Sequence, residues 1–564
     1  MASALSRRRR ESRRKDESIL ALPIDARRDK KLMKSKLTLA FFAAAIFVSA
    51  FANAQPTATS TGSISASGST TGPDNTTLVS TQSAPAEIRT PPSPHTPRIN
   101  GPDIFGVRPG HPFLYHIPAT GDRPMSYSAD GLPDGLQLDA ASGEITGTLA
   151  NQGNYPVTLH AKNALGEDSK KFKIIVGETI DLTPQMGWNS WNHYASKVSQ
   201  EIVLENAEAM AKSGLIDHGW TYVNMDDTWQ GNRGGPFNAI QGNEKFPDMK
   251  ALCDGVHALG LKVGIYSTPW VTSYAGHIGG SAENPQGDWK PFDGPGKGMK
   301  NKNILPWAIA KYHFTTNDAD QWAAWGIDYL KYDWNPIEYP ETKEMSDALR
   351  TSGRDIVFSL SNNMNITNAP DISEIANSWR TTGDIKANWK SMSQRGFGQD
   401  KWARYASPGH WNDPDMLEIG THERNQPGLT PDEEYMHMTI WCLDSAPLLL
   451  GNDLTGMNAF TLNLLENDEV LALNQDALGK QGTCVARGDD FLVYEKHLED
   501  GSIAVGLFNI GSSGPINVTA KWSDLGIEGK RSVRDLWRQK DLGQFADSFS
   551  MPVASHSAEL VKIQ

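Results

Sequence analysis

From Gln185 onward the chain keeps changing its period. Short apolar runs that suit strands alternate with stretches whose apolar residues recur every three or four positions. The stretch 199–212 opens on a serine in capping position and repeats Val203, Ala207 and Met210 along one helical face. The strand-like runs end near Trp191, Asp227, Thr268, Asp333, Ser361, Asp384, Met416 and Asp453. Eight such units over roughly 290 residues predict a parallel (β/α)8 TIM barrel. In such a barrel reactive groups gather at the carboxyl ends of the strands, so those ends are where function is to be sought.

The chain is too long, at 564 residues, for the barrel alone. Residues 97–177 read as short strands punctuated by Gly and Pro, among them Phe113-Leu114-Tyr115 and Gly143-Glu144-Ile145-Thr146-Gly147, which predicts a small N-terminal β-sandwich. The barrel is expected over 183–479. Beyond it Phe491-Leu492-Val493-Tyr494 and Ile503-Ala504-Val505-Gly506-Leu507-Phe508 predict a C-terminal antiparallel β-sandwich over 480–564. Residues 55–96 are mostly Thr, Ser, Pro, Ala and Gly and are read as a disordered linker.

Residues 1–54 read as a secretory signal region. Lys34-Ser35-Lys36 precedes an apolar run over 37–50, and Ala52-Asn53-Ala54 supplies the small-x-small pattern of a cleavage site after Ala54; Met33 is an alternative start. The run is short for a spanning helix and no stop-transfer pattern follows, so the expectation is a secreted or periplasmic protein with no membrane insertion after cleavage. Those 54 residues hold 13 Lys/Arg and 5 Asp/Glu, which leaves 40 basic and 61 acidic side chains in the remainder. Such an acidic surface disfavours nucleic acid as a partner. Cys253, Cys442 and Cys484 lack metal-ligand or disulfide spacing and are read as small buried hydrophobes.

The strand ends are polar and aromatic. Strand four delivers Lys331 and Asp333, which alternation puts on one face; an ammonium two residues away should keep the carboxylate ionised. Lys-x-Asp also describes an ordinary ion pair, and spacing leaves both readings open. Strand two ends in Asp226-Asp227, which reach one ligand together only where the strand breaks into its loop, and there they can accept hydrogen bonds from sugar hydroxyls while an indole such as Trp191 covers a ring face. No histidine or third carboxylate lies nearby in sequence, so neither metal nor cofactor is expected. Glycoside hydrolysis requires two carboxylates, one at the anomeric carbon and one at the leaving oxygen. Asp333 is one; spacing does not choose between Asp384 and Asp415 for the other. His410 is read as a hydrogen-bonded strand residue.

With these motifs assembled, the region 183–482 resembles glycoside hydrolase family 27, the family of α-galactosidases (melibiases) and α-N-acetylgalactosaminidases. The resemblance is carried in order by Met186-Gly187-Trp188-Asn189-Ser190-Trp191, Met225-Asp226-Asp227-Thr228-Trp229, Leu330-Lys331-Tyr332-Asp333, Trp379-Arg380 to Asp384, and Trp411-Asn412-Asp413-Pro414-Asp415-Met416. The phrase Tyr127-Ser128-Ala129-Asp130-Gly131-Leu132-Pro133 resembles the immunoglobulin-like domain at the front of bacterial exported hydrolases.

The resemblance implies that Asp333 is the nucleophile and Asp384 the general acid/base of a retaining mechanism, ~5 to 5.5 Å apart. It implies that Trp191, Asp226, Asp227, Tyr266, Lys331 and Arg380 bind sugar, with Asp415 and Met416 lining the pocket. The chain departs from family α-galactosidases at Leu360-Ser361-Asn362, where they carry Cys-Glu-Trp; in the family that glutamate contacts the sugar 2-hydroxyl, so with Ser361 the resemblance does not carry over recognition at carbon 2. Tyr274 and Asn335 stand where animal members have a cysteine pair, and the loop after strand three is longer. The implied partner is an α-galactoside oligosaccharide or polysaccharide. Alternatives are an α-N-acetylgalactosaminidase, a β-L-arabinopyranosidase, and a non-catalytic carbohydrate-binding protein.

Overall fold

The computed structural model describes residues 87–288, 307–420 and 428–564. The expected leader, most of the expected linker and the glycine-rich run at 295–298 lie outside them. Eight parallel strands form the central sheet: β1 (Met186–Asn189), β2 (Tyr222–Asn224), β3 (Lys262–Ser267), β4 (Tyr329–Asp333), β5 (Val357–Ser361), β6 (Ser378–Arg380), β7 (Trp411–Asp413) and β8 (Leu448–Leu450). Neighbours in sequence pair from β1 to β7, and β8 pairs with β1. The ring closes through Leu417, just past β7. Its N–H donates to the Leu449 carbonyl at 2.8 Å, and its own carbonyl accepts from Gly451 N–H at 3.2 Å. The predicted TIM barrel is present.

Side-chain alternation on β4 sorts the core from the site. Leu330 and Tyr332 join the outer core with Trp322, Met345 and Leu349, whereas Tyr329 joins a separate inner cluster with Ile180, Tyr222, Val357 and Leu449. Lys331 and Asp333 continue the inner face up to the mouth. Two glycines permit close approach here: a Cβ at Gly187 would lie 2.2 Å from the Tyr222 carbonyl oxygen, and one at Gly264 would lie 2.0 Å from Asn224 Oδ1. The helix Gln200–Lys212 forms as its pattern predicts, with Ser199 accepting from Ile202 N–H at its start.

The N-terminal sandwich stacks a four-stranded sheet against a three-stranded one around Phe113, Ile145, Leu159, Phe172 and Ile174. The C-terminal domain is a six-stranded antiparallel sheet and a two-stranded ribbon closing on Val505, Leu507, Trp522 and Phe549. Helix Pro431–Leu443 is buried on all sides rather than along one stripe. The reason is its position against the C-terminal domain: the Tyr435 and Trp537 rings meet edge to face at 4.7 Å, and Trp537 Nε1–H donates to Thr439 Oγ1 at 3.0 Å. Among the described residues no helix is long and apolar enough to cross a membrane.

Two expectations need correction. Residues 87–90 fell within the expected disordered linker, yet they are docked. The buried Arg89 guanidinium donates to the Ala558 carbonyl at 3.0 Å, pairs with Asp432 at 3.0 Å and lies 4.2 Å over the Tyr435 ring. Composition could not reveal this, because a single cation with a prepared acidic and aromatic seat is invisible to an average over the segment. Cys484 is half-buried rather than buried, unlike Cys253 and Cys442, because it sits on the first strand of the C-terminal sheet, Thr483–Arg487.

Arg89→Ala should destabilise the protein by about 2 kcal/mol, since it strands buried acceptors. Thermal unfolding checks this; an unchanged midpoint would show that the 87–90 segment contributes nothing.

Candidate active site

The strand ends and their loops enclose a pocket of about 450 Å³. It gathers the two predicted catalytic carboxylates, Asp333 and Asp384, with Asp226, Asp227, Tyr266 and Lys331. Trp191, Ser361, Arg380, Asp415 and Met416 complete the predicted set on the same walls. Asp333 closes β4, Ser361 closes β5 and Arg380 closes β6, while Asp226, Asp227, Asp384, Asp415 and Met416 stand in the loops just beyond their strands. Trp191 begins a single helical turn after β1.

Asp333 differs from its expectation. Lys331 does not pair with it; the ammonium donates to Asp226 Oδ2 at 2.7 Å, and Asp226 also accepts from Asn189 Nδ2 at 2.9 Å. Burial pushes the Asp333 carboxyl up to about 6. The Lys331 charge opposes that, Asp226 adds to it, and Arg380 and the Tyr266 hydroxyl oppose it more weakly. Two residues' spacing suggested an ionised pair, but the loop after β2, two strands away, supplies the lysine's actual partner. The Tyr266 hydroxyl donates to Asp333 Oδ2 at 3.1 Å, while Oδ1 is buried with no hydrogen-bond partner among the described residues.

Asp384 is the opposite case, with 78% of its side chain exposed. Arg380, itself buried, reaches it at 3.2 Å and reaches Asp415 at 2.8 Å. Burial works against the Arg380 charge, but Asp415, Asp413 and Asp384 outweigh it and hold the guanidinium above its ordinary range. Asp415 has a second task, accepting from Ile385 N–H at 2.7 Å and so fixing the residue after Asp384.

Asp227 arrives engaged by protein donors. Oδ1 accepts from Thr228 N–H at 2.7 Å and Gln230 Nε2 at 3.1 Å, and Oδ2 accepts from Ala275 N–H at 2.9 Å. Burial raises its carboxyl against those hydrogen bonds. Left-handed backbone occurs at two of the loops that carry site carboxylates, with φ +85° at Thr228 and +104° at Asp415. Such conformations cost of order 1–3 kcal/mol each and persist where surroundings over-determine them. Around Asp415 the surroundings are visible: Trp441 Nε1–H holds its carbonyl at 2.7 Å and Asp413 Oδ1 accepts its N–H at 2.7 Å.

Sequence reasoning did not select Asn189, which orients Asp226, or Asn192, Asn362 and Lys386, which also line the pocket. Asn189 lay inside a motif already singled out, Asn192 directly after it and Asn362 beside Ser361; nothing local marks Lys386. His410, just before β7, donates its Nδ1–H to the Ala376 carbonyl at 2.8 Å. Among the described residues no group of three His, Cys, Asp or Glu side chains is arranged to hold a metal ion.

A TIM barrel whose mouth combines a desolvated carboxylate, a solvent-facing one and a polar pocket of sugar size belongs to the glycoside hydrolases. The comparisons narrow this. The family described as Alpha galactosidase A matches residues 183–299 and 296–476, the Alpha galactosidase C-terminal beta sandwich domain matches 488–563, and an Ig domain matches 96–177. Alpha-galactosidase 2 of Arabidopsis thaliana is 38% identical over 404 residues, 70% of this chain and 92% of that protein. The crystal structure of an alpha-galactosidase candidate from Bacteroides fragilis is 32% identical with a TM-score of 0.74, covering 83% of this chain and 98% of that one. A family 27 β-L-arabinopyranosidase from Geobacillus stearothermophilus is 29% identical with a TM-score of 0.56, covering 68% and 97%. The chain belongs to the alpha-galactosidase (melibiase) family, glycoside hydrolase family 27.

Asp333 makes a stability prediction. Its folded carboxyl titrates higher than the ordinary 3.8, so the folded state favours the protonated form, and this residue's penalty on stability is absent below pH about 4 and complete above about 6. Asp333→Asn should therefore raise stability at pH 8 by about 2 to 3 kcal/mol and leave it near wild type at pH 4. Thermal unfolding at the two pH values measures this, and an equal effect at both would contradict it.

Proposed function

We propose that this protein is an exported retaining α-galactosidase that releases terminal α-linked galactose. The observation that carries this reading is the pairing of two unlike carboxylates in one pocket: Asp333, buried with a free Oδ1, and Asp384, open to solvent. Families of galactoside-cleaving relatives support the choice of sugar.

Asp333 Oδ1 attacks the anomeric carbon as Asp384 delivers its proton to the departing glycosidic oxygen. The carbon–oxygen bond to the leaving group breaks and an ester to Asp333 forms. Water then attacks the same carbon, Asp384 takes its proton, and the ester bond returns to the Asp333 carboxylate. Tyr266 holds the other Asp333 oxygen, leaving Oδ1 as the reacting atom. Lys331 and Arg380 are each paired to another carboxylate, so they supply positive potential without forming a tight ion pair with the nucleophile. Asp226, Asp227 and Trp191 hold the sugar's hydroxyls and ring face in this scheme.

Ser361 on the pocket wall favours one second reading, an α-N-acetylgalactosaminidase, because a small side chain stands where family α-galactosidases carry glutamate. Nitrophenyl α-galactoside assayed beside its α-N-acetylgalactosaminide analogue separates the two; turnover of the second alone would reject galactose. NMR of the first-formed anomer should show α-galactose, and an inverted product would exclude a covalent Asp333 intermediate. Asp333→Ala should lower kcat at least roughly 10³-fold with the fold intact. Export rests on the leader pattern alone, and amino-terminal sequencing of the extracytoplasmic protein should begin at Gln55; retention of the first 54 residues would refute it.

A further inference from the structure

Tyr274, on the wall of the pocket, belongs to an aromatic surface that the chemistry at Asp333 and Asp384 does not use. Trp270, Tyr274 and Trp307 form one cluster, with ring centroids 5.0 Å apart for Trp270–Tyr274, 6.2 Å for Tyr274–Trp307 and 6.5 Å for Trp270–Trp307. Trp270 is buried behind the others, but Tyr274 is 39% and Trp307 57% exposed. Few large apolar side chains are that exposed among the described residues, and these two sit together. Tyr274 also lines the pocket that holds Asp333 and Asp384.

This surface is held in place. Residues 272–278 form a tight hairpin closed by a Thr272–Ile278 bridge and a Ser273 N–H to His277 carbonyl bond of 2.8 Å. Its tip is tied to the sugar-facing carboxylate Asp227 through Ala275 N–H at 2.9 Å. The Asn362 side chain reaches the Tyr274 hydroxyl, and the Asn362 carbonyl accepts from Asn335 Nδ2 at 3.2 Å. Val271 N–H donates to the Ala308 carbonyl at 3.0 Å, which brings the Trp307 segment alongside. Two of these residues, Tyr274 and Asn335, thus join neighbouring loops through Asn362 without a covalent link.

A proton donor must face the departing oxygen, so the leaving group lies on the open side of the pocket, next to the exposed Asp384. Tyr274 stands on the wall of that same pocket. Aromatic rings there offer an apolar face to the C–H face of a pyranose while its hydroxyls stay in water. We propose that Tyr274 and Trp307, backed by Trp270, form a leaving-group subsite that stacks on the sugar to which the terminal galactose is attached. The substrate class is then galactosylated oligosaccharide or polysaccharide, rather than galactosides of alkyl alcohols or lipids. This rests on the α-galactosidase reading above and names the other half of its substrate.

The test compares kcat/KM for melibiose, an α-galactosyl disaccharide, with that for α-galactosyl fluoride, whose leaving group is too small to touch the cluster. A nitrophenyl galactoside is unsuitable, because its own ring would stack. In Trp307→Ala and in Tyr274→Ala the ratio of disaccharide to fluoride should fall roughly fivefold or more, and Tyr274→Phe should keep it near wild type. Trp307 is mostly exposed, so its removal reports the subsite even if Tyr274→Ala disturbs the hairpin. Equal losses on both substrates, leaving the ratio unchanged, would overturn the subsite while the activity stands. Failure of the wild-type protein to turn over galactosyl fluoride would instead overturn the α-galactosidase reading, and this inference with it.

Discussion

A carboxylate buried at the top of β4, with both nearby cations claimed by other acids, is the constraint around which the site is organised. Lys331 belongs first to Asp226 and Arg380 first to Asp415, so Asp333 gains their potential without their direct contact. Burial lifts its carboxyl to about 6, and the Lys331 and Arg380 charges oppose that rise without cancelling it. A nucleophile locked in a salt bridge would have to break it in order to react. In the proposed mechanism Asp333 is instead disfavoured by burial, a cost that is relieved when its bond to carbon forms.

Holding such an arrangement requires support from outside the barrel. The loop after β7 carries Asp415 in a left-handed conformation, and helix Pro431–Leu443 restrains it through Trp441. A few residues further on, His437 Nε2 accepts from Glu418 N–H at 3.0 Å. That helix is in turn packed by the C-terminal sheet through Trp537. The C-terminal domain therefore acts as a buttress on a loop that carries a site carboxylate. Elsewhere on the mouth Asp227 performs a similar service for the hairpin bearing Tyr274, so acids that line the pocket also position its walls.

Much of this was legible before any coordinates. Alternation of period predicts the barrel because parallel strands need helical crossovers, and the eight observed strands stop within a few residues of the predicted ends. The pocket collects each of the eleven residues that the motifs nominated. What was not legible involves partners distant in sequence. The true partner of Lys331 lies 105 residues away on β2's loop, and the seat of Arg89 lies more than 340 residues away. Neither pattern nor spacing encodes those pairings. Asn362 was quoted only as part of a departure from the family motif, yet it links the loops of Tyr274 and Asn335.

The sequence by itself determined the architecture and the membership of the site, because hydrophobic period and strand-end chemistry are local properties that survive in one dimension. Tertiary structure alone decided the charge state of Asp333 and the exposure of Asp384. It also brought Trp307 against Tyr274, which stands on the pocket wall. Those outcomes depend on desolvation and on which groups are brought within a few ångströms, quantities that exist only once the chain has closed on itself.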